Sequence, residues 1–172
     1  MVDSTRNSPE EPGTDAVLEY LHTRPGFLVR RAHQICMSMF AETCEGLMIT
    51  PTQYGILTAL RHTPGIDQIS VARKLGHDRS TAAMVINALH QRGLIIKVAD
   101  AEDRRKNRLE LSQEGLALWE KCHVLLSEGK DLLLEPLTPA ERKQFLSLLT
   151  KFTHSYNSSV RTPLLMKNAN KN

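Results

Sequence analysis

Apolar residues recur at helical spacing through most of the chain, and short β-branched runs interrupt this pattern near its middle. Positions three, four and seven residues apart form one face of a helix, whereas a short apolar run bounded by turn residues favours a strand. The predicted helices cover, in order, 15–22, 25–45, 50–62, 67–76, 78–92, 112–135 and 138–156. Strands are predicted at 94–99 and 109–111, with Ile66 adding a short third one. The fold class is therefore mainly α with a small β-hairpin.

The stretch from Asp67 to Gly76 predicts a short helix followed by a sharp turn. Ile69, Ala72 and Leu75 fall at i, i+3 and i+6, which indicates one apolar face. Asp67 is a suitable N-cap, and Gly76 can adopt the left-handed conformation that ends a helix. A small residue four positions before that glycine is typical of a helix-turn-helix, because two helices cross closely there.

A second helix follows the turn, and its two faces differ in chemistry. Asp78 caps it, and an apolar stripe is expected to pack inward: Ala82, Val85, Ile86 and Leu89. The opposite face carries short or polar groups: Ser80, Thr81, Ala83, Met84 and Asn87. Side chains of this kind fit against base edges in a major groove of DNA.

Positive charge is concentrated in and after this second helix. The predicted hairpin has a polar tip at 100–108 that holds four basic residues, and residues 68–108 contain nine Lys or Arg against four Asp or Glu. Residues 1–24 have two basic and five acidic residues, and the whole chain carries a formal charge of only +3. This asymmetry predicts a nucleic-acid surface on the hairpin and the helix before it.

This segment resembles the winged helix-turn-helix of the MarR family of bacterial transcription regulators. The family's wing motif is matched by Asp103, Arg105, Leu111, Ser112 and Gly115, with Ser112 in place of threonine. The opening of the recognition helix, 78–81, also matches, but Ala83 and Met84 stand where many members have a basic residue. The resemblance spans about residues 25–155 and implies a winged helix-turn-helix with N- and C-terminal dimerisation helices.

The resemblance implies a homodimeric repressor that binds a palindromic operator in double-stranded DNA. Arg105 is expected in the minor groove, and Asp103 is expected to orient it or a neighbouring arginine. The predicted DNA-binding residues are Arg79, Ser80, Thr81, Ala83, Met84, Asn87, Asp103, Arg104, Arg105, Lys106 and Arg108. Helix-turn-helix spacing alone also occurs in proteins that bind no DNA, and a charge run is usually a solvated face. The adjacent basic hairpin favours DNA binding over those alternatives.

The long helix from Pro25 carries a broad apolar face that also holds His33, with Arg31 at its edge. The stretch 25–34 looks like the subgroup that controls breakdown of aromatic or N-heteroaromatic acids, such as nicotinate. Arg31, His33, Tyr54 and Trp119 would supply an apolar slot and a donor for a small aromatic carboxylic acid effector. The alternative is that His33 is a hydrogen-bonded core histidine and Arg31 a snorkelling side chain.

These elements suggest five segments. They are a disordered N-terminus at 1–13, N-terminal dimerisation helices at 14–49, a winged helix-turn-helix DNA-binding lobe at 50–111, C-terminal dimerisation helices at 112–156, and a tail at 157–172. Whether the tail docks is left open. The terminal helices have no further core of their own to cover, so a second copy of the chain is the expected partner.

The sequence offers few motifs that would indicate a function other than DNA binding. There is no His-Glu-x-x-His, phosphate-binding glycine loop or nucleophile elbow, so an enzyme is not expected, and neither is a cofactor. Cys36, Cys44 and Cys122 have the spacing of neither a disulfide framework nor a zinc ribbon, and they are expected to be buried and reduced. The alternative function is a metal- or oxidation-sensing regulator of the same fold. No long apolar run or signal region is present, which predicts a cytoplasmic protein.

Overall fold

The computed structural model describes residues 14–99, 107–129 and 132–165. The helices are α1 Thr14–His22, α2 Pro25–Thr43, α3 Pro51–His62, α4 Gln68–Leu75, α5 Arg79–Gln91, α6 Gln113–Glu128 and α7 Pro139–Ser155. The strands are β1 Ile66–Asp67, β2 Ile95–Ala99 and β3 Asn107–Leu111, and 3₁₀ turns occupy Leu132–Leu134 and Asn157–Ser159. The predicted fold class is confirmed. By its contacts the chain divides into two units, Met1–Ser38 and Met39–Asn172.

The helices begin at the predicted caps because polar side chains there satisfy the first backbone N–H groups. Thr50 and Thr138 each form a capping box with the residue three positions on, Gln53 and Glu141 respectively. Asp67 Oδ1 accepts hydrogen bonds from the backbone N–H of Ile69 at 2.9 Å and of Ser70 at 3.0 Å. At the other end of α4, Gly76 has a φ of 64°, the left-handed conformation predicted for the turn.

The three strands form one antiparallel sheet in the order β1, β3, β2. Ile66 lies opposite Leu109, and Ile95 lies opposite Leu111, so the inward positions of the hairpin and of β1 share one face. Leu109 and Ile95 are almost fully buried on that face. The predicted third strand is confirmed, and the sheet closes one side of the helical core.

The core lies among α3, α4, α5, α6 and the sheet, and it corrects one part of the predicted pattern. Val71 and Ala72 of α4 are buried, whereas Ile69 is 48% exposed. The prediction placed Ile69 on the inner face and was wrong. Residues two apart lie on opposite sides of a helix, so burial of Val71 turns Ile69 outward. The buried residues of α5 are Ala82, Ile86 and Leu89, as expected.

Helices α2 and α6 end earlier than predicted. The backbone N–H of Gly129 donates to the carbonyl of Leu125 at 2.9 Å and forms the C-cap of α6. Glycine disfavours helix continuation because it loses more backbone entropy than other residues. Leu133, which falls within the predicted helix 112–135, lies instead in a 3₁₀ turn. Helix α2 ends at Thr43, two residues before the predicted end.

The terminal helices leave apolar side chains uncovered in the single chain. Helix α7 presents a stripe that is 40–60% exposed: Phe145, Leu148, Leu149 and Phe152, followed by Tyr156. Large exposed apolar residues also occur on α1 and α2: Val17, Leu18, Tyr20, Leu21, Leu28, Val29, Ile35 and Met37. Among the described residues, none of the helices is long and apolar enough to cross a membrane.

Candidate nucleic-acid interface and effector residues

The N-terminus of α5 is organised by a single carboxylate. Asp78 Oδ1 accepts hydrogen bonds from the backbone N–H of Ser80 at 2.8 Å and of Thr81 at 3.2 Å, and from the Ser80 hydroxyl. The Ser80 hydroxyl, together with these backbone donors, lowers the pKa of Asp78. The cap therefore stays charged at neutral pH and fixes where the helix begins.

Helix α5 separates a structural face from a polar one. Ala82, Ile86 and Leu89 are fully buried and anchor the helix in the core. The predicted DNA-binding residues Arg79, Ser80, Thr81, Met84 and Asn87 are all exposed, while Ala83 is half-buried. Met84 is 66% exposed, an apolar side chain available to a thymine methyl or a sugar.

Asn87 is connected to the hairpin. The Lys97 ammonium, on β2, donates a 2.6 Å hydrogen bond to Asn87 Oδ1. This contact ties the polar face of α5 to the strand that leads into the wing. The sequence prediction did not include Lys97. Its position as the one basic residue of the β-branched run could have drawn attention to it.

The tip of the wing falls outside the part of the chain that the structure describes. Asp103, Arg104, Arg105 and Lys106 belong to it, so their roles remain predictions. Arg108 belongs to β3, where it pairs with Val98 of β2 and Asp67 of β1, and it is exposed. The predicted wing therefore has one of its four basic residues on a described strand.

The second half of the wing motif joins the hairpin to α6. The Ser112 hydroxyl donates to the Gly93 carbonyl at 2.6 Å and accepts the Gly115 N–H at 2.9 Å. A Cβ at position 115 would lie 1.9 Å from the Leu94 carbonyl oxygen. Glycine is needed there because the backbone of α6 approaches the hairpin too closely for a side chain.

Tyr54 and Trp119 belong to a cluster of rings between α3 and α6. The Tyr54 hydroxyl is hydrogen-bonded to His123 Nδ1 at 3.1 Å, and the His123 ring stacks on Trp119 with centroids 4.8 Å apart. Trp119 Nε1 donates to the Thr58 hydroxyl at 3.0 Å. Trp119 is only 8% exposed, so its indole belongs mostly to the core. The sequence prediction missed His123, although it lies four residues after Trp119 and hence on the same helical face.

Two further side chains of α3, Arg61 and His62, border this cluster. The Arg61 guanidinium lies 5.6 Å from the Trp119 ring centroid, and the His62 ring meets Trp119 edge-on at 6.1 Å. Burial raises the pKa of Tyr54, so its hydroxyl remains protonated and can donate. Arg31 and His33 belong to the first unit, Met1–Ser38, where both are exposed. The structure thus connects Tyr54 and Trp119, and leaves the contribution of Arg31 and His33 as a prediction.

Two of the three cysteines are buried and weakly acidic. Burial raises the pKa of Cys122 to about 11, and the pKa of Cys44 is also raised by burial. The thiolate is the reactive form, so these side chains are poor oxidation sensors. Cys36 is exposed. Within the described ranges no three His, Cys, Asp or Glu side chains are grouped as a metal site would require.

Comparison with known proteins identifies the family. The family model described as MarR family matches residues 49–106. A putative transcriptional regulatory protein for the hcr operon of Thauera aromatica is 31% identical over 142 residues, covering 80% of this chain and 82% of that protein. The chain belongs to the MarR family. The resemblance stated from the wing motif is thereby confirmed.

Other MarR-type relatives cover most of the chain. The HTH-type transcriptional repressor NicR of Pseudomonas putida is 26% identical over 152 residues, covering 88% of this chain and 96% of NicR. The crystal structure of the PcaV regulator of Streptomyces coelicolor, solved with its natural ligand, is 35% identical, with a TM-score of 0.72. It covers 78% of this chain and 94% of PcaV.

Two further MarR-type structures connect the fold to DNA and to an effector. The repressor CouR, bound to a 23-mer DNA duplex, is 28% identical with a TM-score of 0.73, covering 79% of this chain and 96% of CouR. BpsR of Bordetella bronchiseptica, whose DNA binding is regulated by 6-hydroxynicotinic acid, is 30% identical with a TM-score of 0.72. The match covers 77% of this chain and 94% of BpsR. The predicted likeness to regulators that respond to N-heteroaromatic acids is confirmed by this relative.

Proposed function

We propose that this MarR-family protein is a transcriptional repressor that binds a palindromic operator as a homodimer and is released by a small aromatic carboxylic acid. The division of α5 into two faces carries the proposal. Ile86 and Leu89 fix the helix in the core while Ser80, Thr81 and Asn87 stay exposed beside a basic hairpin. A helix anchored on one side and polar on the other can enter a major groove without unfolding the lobe.

Homodimerisation is supported by the uncovered apolar faces of the terminal helices. An exposed stripe as continuous as that of α7 is uncommon on a monomer and marks an interaction surface. An isologous dimer would cover the same stripe on both chains and set the distance between the two recognition helices. Both half-sites are engaged only when that distance is close to one turn of DNA, roughly 34 Å.

The recognition helix and the wing have different roles in the proposal. Ser80, Thr81 and Asn87 read base edges, with Met84 and Ala83 against the apolar parts of the groove. Lys97 holds the Asn87 oxygen, which leaves the amide NH₂ of Asn87 to donate to a base. Arg105 enters the minor groove and Asp103 orients it, while Arg79, Arg104, Lys106 and Arg108 neutralise phosphates.

The effector proposal combines the ring cluster with the helix α2 residues. An aromatic acid needs an apolar surface for its ring and a cation or donor for its carboxylate. The Tyr54 hydroxyl and His123 are candidate donors beside the Trp119 ring. Arg31 and His33 are proposed as further partners of the carboxylate. The regulation of BpsR by 6-hydroxynicotinic acid favours this ligand class.

The alternative functions have less support. Raised pKa values disfavour Cys44 and Cys122 as oxidation sensors, which leaves only the exposed Cys36 for that role. No catalytic motif was found in the sequence, and the MarR family consists of transcriptional regulators. A regulator of this kind would act where the chromosome lies, in the cytoplasm.

The test begins by selecting duplexes from a randomised library with the purified full-length protein. Affinity for the selected duplex is then measured by fluorescence anisotropy with and without 6-hydroxynicotinic acid and related aromatic acids. We expect operator binding that weakens steeply with salt and is reversed by one of the acids. A protein that selects no duplex would refute the repressor proposal.

Single variants divide this proposal into its parts. Asn87→Ala should reduce the preference for the selected duplex over a scrambled one more than it reduces binding to the scrambled one. His33→Ala and Arg31→Ala should each require more acid for release while DNA affinity is retained. Unchanged release in both variants would place the effector elsewhere, and the same measurement on His123→Ala then tests the ring cluster alone.

A further inference from the structure

The tail after α7 docks onto the helix-turn-helix. The backbone N–H of Leu165 donates to the Arg73 carbonyl, near the end of α4, at 2.9 Å. The Leu164 side chain lies against Gly76, where an added Cβ would come within 3.2 Å of it. Asn157 holds the tail in a loop, since its side chain both donates to the Leu164 carbonyl at 3.1 Å and accepts the Leu164 N–H at 2.9 Å.

Docking of the tail brings a cation to the start of the recognition helix. The Arg161 guanidinium lies 3.5 Å from the Asp78 carboxylate, and its side chain is 89% exposed. Asp78 is already held by the N–H groups of Ser80 and Thr81, so the cap does not depend on Arg161. An exposed ion pair of this length contributes little to stability. The position of Arg161 is therefore poorly explained by folding alone.

The surroundings of Arg161 are rich in positive charge. A cleft of about 600 Å³ is lined by the docked tail together with the end of α4, the turn and the start of α5. Arg73, Arg79 and Arg161 line it, with Asp78 as the one acidic residue among the described residues of the lining. The cleft adjoins the polar face of α5, because Arg79 and Ser80 belong to both. A phosphate backbone that follows a groove occupied by α5 would pass beside these cations.

We propose that the docked tail is part of the DNA-binding surface and that Arg161 contacts a phosphate of the duplex beside the recognition helix. This inference rests on the proposed DNA-binding function and adds a segment outside the helix-turn-helix and wing. The hydrogen bonds of Asn157 and Leu165 hold the tail in place before DNA arrives. A guanidinium held in this way loses less conformational freedom on binding than one on an unattached arm.

The test compares Arg161→Ala with the full-length wild type on the selected operator and on a scrambled duplex between 50 and 200 mM KCl. Each phosphate contact contributes about 0.9 to the slope of log affinity against log salt. With one contact per subunit, the slope should fall by about 1.8, and affinity at 0.1 M salt should fall by up to about 60-fold. The loss should be equal on both duplexes because a phosphate contact is independent of sequence.

Three further variants make the result specific. Arg161→Lys retains the charge and should keep most of the slope. Asn157→Ala leaves every charge in place but releases the loop. It should weaken binding to both duplexes, as Arg161→Ala does, but by a smaller factor. Lys143→Ala removes one exposed charge from α7 and serves as the matched control. Thermal melting and sedimentation establish that each variant is folded and dimeric.

The outcomes separate this inference from the function on which it rests. If Arg161→Ala matches Lys143→Ala in affinity and slope while the wild type binds DNA, the tail is not a DNA contact and the repressor proposal stands. Tighter binding by Arg161→Ala would also overturn the inference, and it would show that the tail obstructs the recognition helix. Failure of the wild type to bind any duplex would refute the proposed function itself.

Discussion

The helix-turn-helix lobe and the last helix, α7, place their large apolar side chains in opposite ways. In the lobe, α3, α5 and the sheet bury Ile56, Ile86 and Leu109 almost completely within one chain. In α7, Phe152 remains 51% exposed, and its apolar neighbours along the stripe are similarly uncovered. One region completes its core alone, whereas the other presents a face that the described residues leave uncovered.

This difference shows how a regulator can be both rigid and adjustable. The lobe must hold α5 in a fixed orientation, so its packing has to be independent of the partner chain. In the proposed repressor, the spacing between two lobes would be set by a separate surface, which an effector would alter without loosening the recognition helix. Binding of the effector and of DNA would oppose each other by the same factor, as thermodynamic linkage requires.

Ile86→Ala should produce the largest loss of stability, and it tests whether the helix-turn-helix lobe completes its core within one chain. Ile86 is fully buried, so truncation leaves a cavity and should lower the free energy of unfolding by about 2–5 kcal/mol. Ile86→Val, which removes one methylene, should cost about 0.5–1.5 kcal/mol. Urea denaturation at matched protein concentration measures both. A cost for alanine no larger than for valine would mean that the lobe core is not closed.

Gly115→Ala tests the junction between the two regions. The new methyl group would overlap the Leu94 carbonyl, so α6 must shift away from the hairpin, at a cost of about 1–3 kcal/mol. Gly55→Ala in α3 is the matched control, since a Cβ there meets Leu75 only at 3.7 Å or more. It should be neutral or stabilise by about 0.5–1 kcal/mol, because alanine favours helix. Thermal melting of both variants tests whether α6 lies too close to the Leu94 carbonyl to accept a side chain at position 115.

Phe152→Ala addresses the uncovered face directly. With half of the ring already exposed in one chain, burial against a partner is worth about 1 kcal/mol for each copy, or about 2 kcal/mol per dimer. The dimer should dissociate roughly 30-fold more readily by sedimentation, and the stability loss should depend on protein concentration. Lys151→Ala, an exposed neighbour on α7, provides the control. If the dimer dissociation constant of Phe152→Ala equals that of the control, Phe152 does not belong to the interface.

The smallest effect is expected at the cap of α4, which belongs wholly to the lobe. Burial would raise the pKa of Asp67, but hydrogen bonds from the Ser70 hydroxyl and from backbone N–H groups outweigh it and lower that pKa. Asp67→Ala should cost about 1 kcal/mol at neutral pH. Because the folded pKa is depressed, the contribution of Asp67 is complete above the unfolded value of about 3.9 and is lost as pH falls through the folded value. The difference in the free energy of unfolding between Asp67→Ala and the wild type should therefore become smaller in acid. Urea denaturation from pH 7 to pH 3 measures it.

Local signals predicted the elements well because caps and turns are encoded by neighbouring residues. Asp67, Gly76, Asp78 and Ser112 each act through hydrogen bonds or dihedral angles within a few positions of themselves. Burial was harder to predict in α4, whose two short turns allow either Ile69 or Val71 to face inward. Only the placement of α3 and α5 decides between them.

Contacts between distant segments were the part that the sequence could not supply. His123 reaches Tyr54 across 69 positions, and Leu165 reaches Arg73 across a still longer interval. Neither pairing has a periodicity or a motif that marks it. The wing motif, in contrast, identified the family because its residues all lie within one short stretch, 103–115.

Trp119 gives the protein a built-in optical probe. It is the sole tryptophan of the chain, so all indole emission comes from one position between α3 and α6. The ring is shielded from water and stacked on His123 at 4.8 Å, so its emission reports on the immediate surroundings of these two rings. An aromatic acid that enters beside Tyr54 would alter the emission spectrum without any label, and stopped-flow fluorescence could then time its arrival against the departure of DNA.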